Sequence, residues 1–128
     1  MNPPKIWANY GVADLDRTAK FYSALGFKSN GSSDELTSFF FGNDAFAIHF
    51  FLKDILAKNT SGRIISSDEG NEIIFTLSAE SKEDVDNWAH EIEKAGGSLV
   101  SRPEEFGAGY YGFIFMDPDG HRFNVFHM

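Results

Sequence analysis

Four histidines, at positions 49, 90, 121 and 127, and a scatter of carboxylates are the groups in this 128-residue sequence that could move a proton or hold a metal. An imidazole does either near neutral pH. His49 lies in an aromatic, strand-like run, Ala45-Phe-Ala-Ile-His-Phe-Phe51, where it reads as a hydrogen-bonded structural residue or as a group presented to a ligand. Glu72 is the acidic counterpart, a proton acceptor if it faces a cleft and plain surface if it does not. His121 belongs to the turn Asp117-Pro-Asp-Gly-His121, His90 to a helix surface and His127 to a fraying end, and Asp117 and Asp119 are turn formers first. With no cysteine, a thiolate nucleophile or thiolate metal site is excluded. No phosphate-cradling glycine loop and no Gly-x-Ser-x-Gly elbow is present.

Regular elements must position these groups. Residues 5–12 read as a strand, and Asp14 can cap the helix that follows, in which Leu15, Ala19, Tyr22 and Leu25 fall at near-helical spacing up to Gly26. Three aromatic-rich extended runs come next, at 27–33, 36–41 and 45–51. Residues 53–70 are polar and suit a connection with a short helical turn near 54–58; Asp68 and Glu69 fall in its loop. Residues 71–78 then alternate like a strand. Ser81, with an acidic residue three positions later, caps a helix whose apolar stripe is Val85, Trp88, Ala89, Ile92 and Ala95, stopped by Gly96-Gly97. Strands are predicted at 98–103, 110–116 and 122–127.

The second half therefore repeats the β-α-β-β-β order of the first. The turn-plus-strand segments 41–51 and 116–126 can be laid together, which matches His49 with Asn124. Superposing the strands ahead of the helices puts Trp7 opposite Glu72 and Asn9 opposite Ile74. Two modules of this kind, unable to bury their faces alone, are expected to pack side by side as one domain, with module one at about 1–57, a linker at about 58–70 and module two at about 71–128.

Composition limits the partners. Eleven basic against nineteen acidic residues give a net charge of -8, which repels nucleic-acid phosphates and anionic lipid, so neither is expected as a partner. The acids lie mostly in solvent-facing places, and solubility explains them better than a site for cations. A chain 42% apolar and 16% aromatic can bury a core without metal or disulfide. No run is long enough to span a bilayer and no signal peptide is visible, so the expectation is a cytoplasmic protein.

Three motifs carry a resemblance that covers nearly the whole chain: Val12-Ala-Asp-Leu-Asp-Arg-Thr-Ala-Lys-Phe-Tyr-Ser-Ala-Leu-Gly-Phe27, Ala95-Gly96-Gly97 and Asp117-Pro-Asp-Gly-His-Arg-Phe-Asn-Val-Phe126. The chain resembles the vicinal-oxygen-chelate superfamily, which groups glyoxalase I, extradiol dioxygenases, fosfomycin-resistance enzymes and bleomycin-resistance proteins. Ile6-Trp7-x-Asn9, Ser78-Ala-Glu-Ser81 and Glu83-Asp-Val-Asp86 make it most similar to the small bacterial proteins called predicted lactoylglutathione lyases. The resemblance implies an α+β fold of two tandem βαβββ modules, a curved mixed sheet around a cleft, and a homodimer that completes that cleft. It also implies four metal-ligand positions, which here read Trp7, His49, Glu72 and Asn124. Only His49 and Glu72 are good ligands, so the set falls short of the three that catalytic zinc needs and of the two-His-one-carboxylate iron pattern.

Three functions follow, in order of preference. The first is a cofactor-free, metal-free binder of a small organic molecule in an aromatic cleft, lined by Trp7, His49, Tyr111, Arg122 and Phe126, with Asn9, Glu72 and Asn124 orienting the ligand. The second is a divergent metal-dependent lyase or dioxygenase, in which His49 or Glu72 would move protons. The third is a scaffold whose cleft is filled by its own side chains, fourteen phenylalanines being available.

Overall fold

Local signals place the helices where the sequence predicts them. Asp14 accepts a hydrogen bond from the Arg17 backbone N–H at 3.0 Å and starts α1 (Leu15–Ala24). The helix stops at Leu25 with the paired bonds Gly26 N–H to Ser23 O and Phe27 N–H to Tyr22 O, a closure in which Gly26 takes φ +88°. The computed structural model describes residues 1–128, which divide into two compact units, Met1–Ser66 and Ser67–Met128.

In the first unit, β1 (Trp7–Val12), β2 (Ser29–Ser32), β3 (Leu36–Phe41) and β4 (Phe46–Leu52) form a mixed sheet in the order β1-β4-β3-β2. β1 runs parallel to β4, as the α1 crossover requires, and the other pairs are antiparallel. One face packs on α1. There Phe21, Tyr22, Phe39, Ile48 and Phe50 are all but sealed from solvent, with Tyr22 stacked on Phe50 at 4.6 Å between centroids. Each such side chain contributes about 1.5–3 kcal/mol by leaving water. The expected helical turn is α2 (Lys53–Asn59), which packs against β1 and β4.

The second unit repeats the plan. β5 (Phe75–Ser78), β9 (Arg122–His127), β8 (Tyr110–Met116) and β6 (Ser98–Leu99) follow in that order, and β7 (Glu104–Phe106) also pairs with β8. α3 (Lys82–Ala95) is capped by Ser81 Oγ, which accepts from Asp84 N–H at 3.0 Å, while Asp84 Oδ2 accepts from Glu80 N–H. It buries Val85, Ala89 and Ile92, with Trp88 and Ala95 half-buried beside them.

Two predicted strands differ from those observed. The run at 98–103 is strand only over β6, because Val100 and Ser101 both donate to the one carbonyl of Ile114, a local bulge, and Pro103 has no N–H to offer a ladder; β7, just beyond it, was not expected. The run at 71–78 becomes strand only from Phe75. Its first part is held instead by side chains: Asn71 Nδ2 donates to Gly120 O at 3.1 Å and its Oδ1 accepts from Arg122 N–H at 3.2 Å. Asp68 and Glu69 lie in a 3₁₀ turn just before it, docked where Ser67 Oγ donates to Asp119 O. The result is an α+β protein with two mixed sheets, the first carrying a β-α-β-β-β order and the second the same order with β7 added. No helix is long and apolar enough to cross a membrane.

Candidate functional site

Strand alternation puts Trp7 and Asn9 of β1 on the sheet face opposite α1. Register then sets their neighbours. Across the sheet, Trp7 stands level with Ala47 and Ala47 with Phe40; one step further on, Asn9 stands level with His49 and His49 with Ser38. An aromatic-small-aromatic row therefore adjoins a polar row. At the far end the face is closed by Ile64 and Lys53, whose side chains would lie 3.2 and 3.0 Å from a Cβ at Gly11.

His49 is fixed at the centre. Its Nδ1 lies 2.7 Å from Ser38 Oγ; Ser38 is 1% exposed. Ser38 Oγ also accepts from Asn30 Nδ2 at 3.2 Å and faces the Ile48 carbonyl at 3.3 Å. A hydroxyl has one hydrogen and two lone pairs. All three contacts are satisfied together only if His49 Nδ1–H donates to Ser38 and the Ser38 hydroxyl donates to Ile48 O. That tautomer leaves a lone pair on Nε2, across the ring from Ser38. Burial lowers the His49 pKa below its ordinary 6.5, which favours the same neutral form. The ring also meets Trp7 at 6.0 Å and Phe51 at 6.2 Å.

Over this face opens a concavity of about 710 Å³, lined by Trp7, Phe40, Ala47 and His49, with Asn30 and Asp44 at one side and residues 3–6 at the rim. Trp7 is 52% exposed there, a large indole left unpacked. Sequence reasoning missed Ser38, Asn30, Phe40 and Ala47. A signal existed: if the Gly42–Ala45 turn joins Phe41 directly opposite Phe46, counting back along the hairpin brings Ser38 opposite His49.

The candidates in the second unit divide differently. Arg122, Asn124 and Phe126 share one face of its sheet. Asn124 stands level with Thr76 and donates to Thr76 Oγ1 at 3.2 Å, so the counterpart of Asn9 beside His49 is Thr76. The expected pairing of Asn9 with Ile74 and Trp7 with Glu72 is thus displaced by two residues, because β5 begins later than alternation suggested. Glu72 is exposed, ahead of the strand. Phe126 lies against Phe106 at 4.7 Å and Tyr110 at 6.3 Å. Tyr111 projects to the opposite face, the α3 side, where its hydroxyl donates to Asp86 at 2.7 Å, and that carboxylate holds the phenol above its ordinary pKa. It does not join Arg122, Asn124 and Phe126. His121, as expected, belongs to its turn, buried with Asp117 at 2.8 Å. His127, expected to fray, is tied down by Ala79 O at 3.1 Å from its Nδ1.

The donor set does not fit a divalent ion. Around His49 stand an amide, a hydroxyl and an indole, and neither unit gathers three or more His, Cys, Asp or Glu side chains, whereas a catalytic zinc needs about three protein ligands.

Comparison with known proteins agrees with the fold. The hypothetical protein SA1046 from S. aureus is 29% identical, with a TM-score of 0.87 over 100% of this chain and 96% of that one. A glyoxalase-related enzyme from Fulvimarina pelagi is 18% identical with a TM-score of 0.87 over 98% and 89%. A lactoylglutathione lyase from Agrobacterium tumefaciens is 20% identical with a TM-score of 0.74 over 98% and 95%. None of the curated proteins matches in sequence. The family model for the Glyoxalase/Bleomycin resistance protein/Dioxygenase superfamily matches residues 6–125, and the chain belongs to that superfamily.

Proposed function

We propose that this protein binds a small organic molecule on the Trp7–His49 face without a catalytic metal. One observation carries the reading: an open concavity in which a half-exposed indole and an imidazole held by a hydrogen bond face the same space. Convergent polar groups in an apolar hollow are what small-molecule sites have in common. A metal-dependent lyase or dioxygenase reaction would need donors that His49 lacks beside it. Arg122, Asn124 and Phe126 remain proposed ligand contacts of the second sheet, and a cytoplasmic homodimer remains the proposed form of the protein.

The test is a thermal-shift screen of untagged protein against small molecules and divalent metals, with metal content measured alongside, since ligands of the native state raise apparent stability by mass action. The expected result is stabilisation by organic compounds that His49→Ala and Trp7→Ala both abolish. Near-stoichiometric metal that disappears on replacing His49 would overturn the reading in favour of a metalloenzyme.

A further inference from the structure

We infer that the ligand is a planar aromatic anion, with its ring over Ala47, a hydrogen-bond donor turned to His49 and its acidic group turned to Lys5. The inference rests on the binding role proposed for this face and adds the ligand's chemistry.

The ring comes from the row Trp7–Ala47–Phe40. Two strand spacings separate the aromatic residues, roughly 9–10 Å, and only a methyl group stands between them. Stacked rings sit about 3.5 Å apart, so the gap admits one flat ring and leaves little room for a second. A bulky aliphatic group would forfeit the face contacts.

The polarity comes from the two ends. Next to the aromatic row, roughly 6–7 Å along the strands, is the polar row of Asn9 and His49. There the lone pair on His49 Nε2 calls for a hydroxyl or N–H, because the hydrogen of the ring is already committed to Ser38. On the other side of Trp7 the lining includes Lys5 and Asp44. Asp44 is neutralised by Lys28, whose ammonium lies 3.0 Å from its carboxylate and 5.7 Å over the Phe40 ring. Lys5 is the remaining charge. In a chain of net charge -8, a hollow at which Lys5 and the adjoining Lys28 outweigh Asp44 selects for an anion at close range, where bulk charge is screened.

Four probes separate the parts: 4-hydroxycinnamate, cinnamate without the donor, 4-hydroxycinnamamide without the charge, and 6-hydroxyhexanoate without the ring. Calorimetric titration is expected to give 4-hydroxycinnamate the highest affinity, with each of the others about fivefold weaker or more, the worth of about one hydrogen bond or charge contact. Lys5→Gln should erase the preference over the amide and keep the preference over cinnamate; His49→Gln should do the reverse. Equal or tighter binding of cinnamate, the amide or the aliphatic acid overturns the inference, as does no binding by any of the four. The wider screen keeps the two readings apart. Compounds of another class that bind in a His49-dependent way leave the binding role standing and the ligand class overturned, whereas no binder in the whole screen removes both.

Discussion

Ser38 holds His49 by a 2.7 Å hydrogen bond from the neighbouring strand, on the same sheet face, and Asn30 in turn donates to Ser38. The imidazole is therefore oriented by a side chain that is itself sealed from solvent. Replacing Ser38 with Ala leaves His49 Nδ1 and Asn30 Nδ2 without their shared acceptor, at a cost of about 1–3 kcal/mol. Urea unfolding should show that loss. Nitrogen NMR should show the His49 ring passing from a single tautomer, protonated at Nδ1, to a mixture, with weaker ligand binding. A ring that stays in one tautomer would mean that Ser38 does not orient it.

The lowered pKa of His49 makes stability depend on pH. The unfolded imidazole titrates near 6.5, and burial makes the folded one titrate lower. Between the two values the unfolded state binds more protons, so stability falls as pH drops through that window and is flat in this respect above it. An NMR titration should place His49 below 6.5. The slope of unfolding free energy just below pH 6.5 should be shallower in His49→Gln than in the parent protein. A folded pKa above 6.5 would reverse the slope and reveal an anionic partner.

The two longer helices, α1 and α3, and their caps were legible because Asp14, Ser81, Gly26 and Gly96 each use a local hydrogen bond or a positive φ that the residue type itself specifies. The β-α-β-β-β order was legible for the same reason, as were His49 and Trp7 on one face. Where strands begin was less visible. Nothing in residues 71–74 distinguishes a strand from a segment pinned by Asn71, since its partners lie about fifty residues away in the 120–122 turn. That long-range tie moved Glu72 out of the sheet. Tyr111 lies on the α3 side for a different reason: the parity of β8 relative to α3 is fixed by which aromatics pack on the helix, namely Phe113 and Phe115. Ser38 was overlooked because a serine among phenylalanines carries no signal until the hairpin register is counted.

Gly112 is needed for its lack of a side chain. A Cβ there would meet the Val125 carbonyl oxygen at 2.1 Å and the Phe126 ring at 2.7 Å. The ring has some freedom to turn, but the carbonyl belongs to the sheet. Gly112→Ala is expected to destabilise the protein by about 3 kcal/mol, the upper part of the range for overpacking. It should also displace Phe126 from Phe106, visible as a change in aromatic near-UV dichroism. A variant as stable as the parent would mean that β8 and β9 separate at low cost.

Asp117 organises the turn between β8 and β9 with both carboxylate oxygens. Oδ1 accepts from the backbone N–H groups of Asp119 and His121 at 3.0 and 2.9 Å, and Oδ2 lies 2.8 Å from His121 Nδ1. Both side chains are almost wholly buried, at 4% and 3% exposure for the residues. That turn is also what Ser67 and Asn71 hold. Asp117→Ala removes three bonds from a sealed site and strands the imidazole, so a loss of about 3–5 kcal/mol is expected. Asp117→Asn keeps an acceptor oxygen for the backbone donors and should lose about half as much. The informative measurement is hydrogen exchange in the two variants. If the turn clamps the entry to β5, amides of residues 67–75 should exchange faster in Asp117→Ala while those of α3 keep pace with global stability. Uniform acceleration through α3 would mean that the pair supports the unit as a whole and that the 67–71 segment has no separate dependence on it.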